Sequence, residues 1–254
     1  MKIAFINQPW NQAVPPVQKA SVAIWAYEIA IRLARRHDVF IYARRDRGQR
    51  SYEEYERVQF RRVSATIDDR VSGFLESVSR FRYATRPYFS CRTYYRNYIR
   101  GIARDLNQQH VDIIHLFNTS SFVPVVRAHN PAAKIVLHMQ CEWLSQLDHQ
   151  MILQQIRHAD MIIVCSNYIT QKIQQRFPDL AKRCHTVFNG VNPDLFEHRS
   201  SDKTELKNVN KKLLFIGRVS PEKGLHTLLS AFEKVAREIP EAALDIVGPE
   251  AGEP

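Results

Sequence analysis

The stretch Lys211-Lys212-Leu213-Leu214-Phe215-Ile216-Gly217-Arg218-Val219-Ser220-Pro221-Glu222-Lys223-Gly224 puts four apolar residues in a row before Gly-Arg, then a proline-bearing turn closed by Lys-Gly. Behind it Leu225, Leu228, Leu229, Phe232, Val235 and Ala236 recur at helical spacing. The reading is a buried strand, a turn and the N-terminus of an amphipathic helix. Such an N-terminus is an anion site, because its unpaired amides and dipole point at the ligand. Arg218 and Lys223 add full positive charge to it, which makes a diphosphate the expected ligand.

The same alternation runs outward through the chain. Residues 2–7 read as a buried strand, followed by a loop holding Pro9, Pro15 and Pro16. Ser21 is placed to cap a helix reaching about residue 36, with Val22, Trp25, Ile29 and Leu33 on one face. Residues 39–43 form the next strand, and 58–63 alternate like a less buried edge strand. The runs 112–117, 134–139 and 161–166 are nearly continuous in apolar residues, as parallel strands covered on both faces are. Segments 121–129 and 146–159 leave room for crossover helices, Ser166 caps the following one, and 185–190 make a last strand into an Asn-Gly turn. Residues 197–211 are polar and aperiodic. The strand–helix–strand opening of 2–43 recurs over 212–248, the echo expected of two Rossmann-like units.

Composition narrows the class. With 44% hydrophobic and 24% charged residues over 254 positions, the chain is globular. No run of eighteen apolar residues occurs and the first residues enter a strand directly, so a cytoplasmic protein is expected. Cys91, Cys141, Cys165 and Cys184 lie far apart with no Cys-x-x-Cys, which suits free thiols and makes a zinc site unexpected. The formal charge of +10 is concentrated between Arg32 and Arg104, where 18 arginines and no lysine face 8 acidic residues. Within it, a helix predicted over 92–109 carries an apolar stripe of Tyr95, Tyr98, Ile99, Ile102 and Leu106. Arg92, Arg96, Arg100 and Arg104 form a second stripe along it. That stripe has two readings: a solvated helix face, or docking to an anionic membrane at its inner face. Nucleic acid is not expected, since no recognition motif accompanies the charge.

Taken together, the motifs resemble those of the family-4 glycosyltransferases, whose two facing Rossmann-like domains make the GT-B fold. "LLFIGRVSPEKGLHTLLSAF" is similar to the segment that opens their second domain. "DIIHLFN", "LHMQCEW", "VCSNYIT" and "VFNGVNPDLF" resemble, in order, strand ends and turns of the first. The expected fold is α/β. A Rossmann-like domain with a mostly parallel sheet flanked by helices occupies 1–191, a linker 192–211, and the truncated start of a second, nucleotide-sugar-binding Rossmann-like domain 212–254.

The resemblance implies transfer of a sugar from a nucleotide-sugar donor to an acceptor hydroxyl with retention, the acceptor being a glycan or a lipid-linked one. By position, His138 would meet the transferred sugar and assist catalysis, Arg218, Lys223 and Gly217 would hold the donor diphosphate, and Glu142, Ser166 and Asn189 would contact acceptor or sugar. No metal or other cofactor is expected. The sequence departs from the family in two places. The loop after the first strand, Val14 to Ser21, has no glycine, leaving Lys19 or the amides near Ser21 to approach the phosphate. The paired-Glu motif of the second domain is not reached before Pro254, so this polypeptide is expected to be inactive by itself. The alternatives are a GT-B sugar-nucleotide epimerase or phosphorylase, or a non-catalytic module that binds anionic membranes.

Overall fold

The computed structural model describes residues 1–78, 85–193 and 211–249. The chain divides into two compact units, Met1–Asn189 and Gly190–Pro254. The expected linker at 192–211 falls almost wholly outside the described residues.

Unit 1 is one eight-stranded sheet. Its strands are β1 (Lys2–Ile6), β2 (Asp38–Arg45), β3 (Tyr52–Tyr55), β4 (Val58–Ser64), β5 (Ile113–Phe117), β6 (Lys134–Met139), β7 (Met161–Val164) and β8 (Cys184–Thr186). They lie in the order β3-β4-β2-β1-β5-β6-β7-β8, and every neighbouring pair is parallel except β3 with β4. The helices of this unit are α1 (Ser21–Leu33), α2 (Thr66–Val78), α3 (Arg96–Gln108), α4 (Val123–His129), α5 (Trp143–Gln146), α6 (His149–Ile156) and α7 (Asn167–Arg176).

Strand alternation sorts the apolar residues into two cores. Ile3, Phe5, Val39, Ile41 and Phe60 pack with Ala23, Ala26 and Ala30 of α1. On the other face Ile6, Tyr42, Leu116, Leu137 and Val164 pack with Tyr98 and Ile102 of α3, Val126 of α4, Ile152 of α6 and Ile173 of α7.

Several expectations change here. The strand at 58–64 is interior, because the hairpin partner β3 takes the edge. The first helix buries its alanines, which let it approach the sheet closely, while Val22, Trp25, Ile29 and Leu33 pack at the margin. Ser21 is its first residue, not its cap; the cap is Ala20, which takes the left-handed φ of 63° without a glycine's freedom. The last strand of the unit is shorter, Cys184–Thr186. Arg92 precedes α3, so only Arg96, Arg100 and Arg104 share that helix.

The start of α3 shows how a distant residue completes a helix. Its cap, Tyr95, sits at φ 45° with no capping side chain. Asp68 of α2 takes over: Oδ1 accepts from Asn97 N–H at 3.0 Å and Oδ2 from Tyr98 N–H at 2.8 Å. The adjacent Asp69 holds Arg44 through two bonds and the Tyr95 hydroxyl.

Unit 2 contains, among its described residues, β9 (Lys212–Ile216), α8 (Leu225–Glu238) and β10 (Ala243–Val247), with the two strands paired in parallel. Gly248 ends β10 against the Gly217 carbonyl, which would lie 1.9 Å from any Cβ there, so no larger residue fits.

Asp68→Ala removes a buried, charged acceptor from two helix amides and is expected to cost on the order of 2 kcal/mol. Urea unfolding measures it; an unchanged midpoint would show that α3 does not need the bond.

Candidate functional site

Parallel pairing brings the carboxyl ends of seven strands to one edge of the sheet, where open α/β sheets take their ligands. His138 lies near the end of β6, opposite Phe117 of β5 and facing the α1 layer. Its ring is fully buried, with Trp25 edge-on at 4.7 Å. Nδ1 lies 3.1 Å from Nε2 of His115, the ring two residues before Phe117 on β5, and Nε2 lies 2.8 Å from Gln140 Nε2.

The protons in this chain of groups follow from chemistry. With Gln140 Nε2 assigned as the donor, His138 accepts at Nε2, keeps its proton on Nδ1 and gives it to His115 Nε2. Both rings are thus neutral. Burial pushes His138 down to about 4, and burial together with the neighbouring His138 ring pushes His115 down to about 3.

Gln140 emerges past the strand end, where the alternation stops. Its carboxamide forms a reciprocal pair with Asn189, Nε2 to Oδ1 at 3.0 Å and Nδ2 to Oε1 at 2.8 Å. Its backbone N–H donates to Asn118 Oδ1 at 2.7 Å, and Asn118 N–H donates to the His138 carbonyl at 2.9 Å. The His138 ring, expected to meet the transferred sugar, is buried here, with the half-buried Gln140 on its Nε2 and the exposed Asn189 bonded to Gln140. Sequence reading missed Gln140 and Asn118. Their signal was positional, a carboxamide one residue past the end of one strand or close to it in its neighbour.

The other expected contacts separate. Glu142 at the start of α5 pairs with Lys172 at 2.9 Å, and that ammonium sits 4.3 Å from the centre of the Tyr168 ring. Ser166 does cap α7, accepting from Ile169 N–H at 3.3 Å, which commits its oxygen to structure.

In unit 2, Gly224 caps α8 at φ 70° and has no side chain to occupy the helix amides. Lys223 stands immediately before it in a 3₁₀ turn, Pro221–Lys223. Arg218 reaches Glu222 at 3.3 Å, and both side chains are more than half exposed. Gly217 spends its N–H on the Val247 carbonyl at 2.9 Å, so that amide is not open to a phosphate.

Residues 22–195 match the family model described as Glycosyltransferase Family 4, and residues 197–254 the one described as Glycosyl transferases group 1. Spore coat protein SA of Bacillus subtilis is 24% identical over 98% of this chain and 61% of its own length. The lipopolysaccharide 1,2-N-acetylglucosaminetransferase of Salmonella typhimurium is 26% identical over 93% of this chain and 57% of its own. The chain thus spans about three fifths of these relatives. Among solved structures, E. coli trehalose-6-phosphate bound with UDP-2-fluoro glucose matches with a TM-score of 0.67 at 14% identity, over 99% of this chain and 65% of that one. That likeness carries the fold, which is the GT-B type the motifs resemble.

The depressed imidazoles set a sign for stability against pH. The unfolded rings bind protons near pH 6.5 and the folded ones do not until about 4 for His138 and about 3 for His115, so the stability present above 6.5 drains away as pH falls. His138 alone accounts for on the order of 3 kcal/mol across that window. Urea unfolding at pH 7, 6 and 5 is expected to show the decline. His115→Phe should flatten the slope by about one proton; an unaltered slope would place the titration elsewhere.

Proposed function

The chain belongs to Glycosyltransferase Family 4, and from that premise we propose that it moves a sugar from a nucleotide-sugar donor to an acceptor hydroxyl with retention of configuration. The observation that carries this reading is the cradle of Arg218 and Lys223 at the bare N-terminus of α8. A leaving nucleoside diphosphate gains charge as the glycosidic bond breaks, and preorganised cations and helix amides stabilise that charge most where it grows. Glu222 occupies Arg218 in the meantime. An exposed pair of this kind contributes little, so a diphosphate displaces the carboxylate at small cost. In front-face attack the departing phosphate oxygen takes the proton of the acceptor hydroxyl, and no protein nucleophile is needed. Arg218 and Lys223 do the work that a metal does elsewhere.

The role of His138 changes in this account. Buried under Gln140, it acts as a positioning residue that fixes which end of the carboxamide faces the ring, while Gln140 and Asn189 make the sugar contact. Glu142 serves as an acceptor contact once Lys172 releases it, and the structural duty of Ser166 leaves it a secondary part. The fold supports a UDP-linked donor by likeness to a protein bound with UDP-2-fluoro glucose, and the Salmonella relative, by name a lipopolysaccharide N-acetylglucosaminetransferase, supports a lipopolysaccharide-like acceptor.

We also propose that the 254-residue chain does not turn over alone, since the described residues of unit 2 offer a donor only a two-stranded sheet and one α-helix. Line broadening of UDP in ³¹P spectra is expected with the 254-residue chain and is lost in the Arg218→Ala, Lys223→Ala double variant, whereas UDP-sugar turnover is expected to be absent. A spectrum without broadening removes the cradle's role; turnover removes the inactivity.

Membrane contact is a second reading that one observation favours. Ile67, Val71 and Phe74 run along α2 exposed, Phe74 at 69%, and α2 packs on α3, where Arg96 and Arg104 are exposed and Arg100 half-buried. Apolar side chains beside arginines suit the boundary of an anionic bilayer. Among the described residues no helix is long and apolar enough to cross a membrane. The partition constant for vesicles of anionic phospholipid should fall on the order of a hundredfold when Arg96, Arg100 and Arg104 become Gln, each basic residue near the surface being worth about 1 kcal/mol. Equal sedimentation discards the docking.

A further inference from the structure

A cavity of about 490 Å³ opens between α6 and the 3₁₀ turn Tyr88–Ser90, and no strand residue lines it. It therefore belongs to the helical layer and not to the strand ends where Gln140 stands. Its size falls within the roughly 300–1,000 Å³ of small-molecule sites.

The interior has little to give a polar guest. Gln155, 1% exposed, donates from Nε2 to the Ser90 carbonyl at 2.8 Å and accepts at Oε1 from the Ser120 hydroxyl at 2.7 Å. The Ser90 hydroxyl donates to the Pro87 carbonyl at 2.6 Å. Beside them Met151 and Cys91 are half-buried and pack against the core. A polar ligand would give up its hydrogen bonds to water and find few in return, whereas a hydrocarbon chain gains by leaving water. No aromatic ring lines the cavity, so a flat base has nothing to stack on.

The rim has the opposite character. Arg86, Arg92 and Gln154 stand exposed around it. Arg86 meets Asp148 at 2.9 Å with its own side chain 55% exposed, a contact that water weakens. Among the described residues no carboxylate pairs with Arg92. The local field is positive: burial first, then Arg157, Arg127 and Arg92, hold the His158 imidazole below its ordinary value.

Cations over an apolar slot match one class of molecule. We propose that this cavity takes an anionic amphiphile, its carboxylate or phosphate held by Arg92 and Arg86 and its alkyl chain lying between α6 and the Tyr88–Ser90 turn. The site depends neither on sugar transfer nor on the arginine face of α3. Arg92, expected on that face, precedes the helix and lines this rim instead.

Cys91 supplies the readout, because an occupant shields its thiol from N-ethylmaleimide. Octanoate, kept below its micelle concentration, is expected to slow labelling of Cys91 in the 254-residue chain severalfold, as followed by peptide mass spectrometry, with Cys141 and Cys165 unchanged. Hexanoate, two methylenes shorter, should need about tenfold more, and acetate should not protect. Neutral 1-octanol should also need about tenfold more, lacking the charge-assisted bonds. Arg92→Glu should weaken octanoate about tenfold, and Gln154→Trp, which fills the mouth from an exposed position, should abolish protection. Titration calorimetry with octanoate gives the same constants if the Cys91 thiol labels too slowly to follow. Dioctanoyl phosphatidic acid separates the two sources of such a ligand: protection by it as well as by octanoate assigns a phospholipid, protection by octanoate alone a free fatty acid. Acetate or octanol matching octanoate, equal slowing at Cys141 and Cys165, no octanoate binding, or full binding by both variants would overturn the site.

Discussion

Parallel strand pairing is the constraint on which this structure depends. A parallel neighbour can be reached only by crossing the sheet, so each crossover lays a helix on a face and returns the chain to the same starting edge. The consequence is chemical as well as architectural. Every residue just past the end of β1, β5, β6 or β7 arrives at one edge, whatever its distance in sequence. Asn7, Asn118, Gln140 and Ser166 are neighbours for that reason and no other.

That edge carries several carboxamides, with Asn118 and Asn189 both bonded to Gln140 across it. Beneath it, two histidines sit in the layer covered by α1, where an apolar pair would pack without difficulty. A neutral imidazole needs one donor and one acceptor satisfied, and each ring finds the other. Gln140 closes the chain at the cleft side. Burial keeps the rings neutral over the whole physiological range, so they act through geometry and not through charge. The arrangement trades acid stability for a fixed orientation of one exposed amide.

Unit 2 solves a different problem. Its helix start has no capping side chain, and of the two cations before it Arg218 pairs with Glu222 through an exposed contact. Weak pairing leaves an anion site open to exchange, while tight pairing would close it. The two units thus differ in kind: one presents carboxamides at a sheet edge, the other positive charge at a helix end.

Much of the fold was legible in the residues. Near-continuous apolar runs located β5, β6 and β7, and the Gly-Arg and Lys-Gly flanks located the turn before α8, because local periodicity and turn chemistry decide those features. Reading failed where neighbours decide. The strand at 58–64 looked like an edge because its alternation is that of a half-covered strand, yet β3 folds beside it and Arg62 is buried against Glu53 and the Ala13 carbonyl. Asp68 caps a helix some thirty residues away, which no local pattern announces. The sequence by itself determined most of the parallel strands and the helices between them, though not β3 or α2, and the resemblance its motifs carry to one family. Only the tertiary structure decided that His138 lies under Gln140, that Gly217 has spent its amide, and that Asn7 is buried with its side chain unmatched among the described residues. Those facts depend on which side of a strand end a residue falls and on what packs there, and both are set by pairing across the sheet.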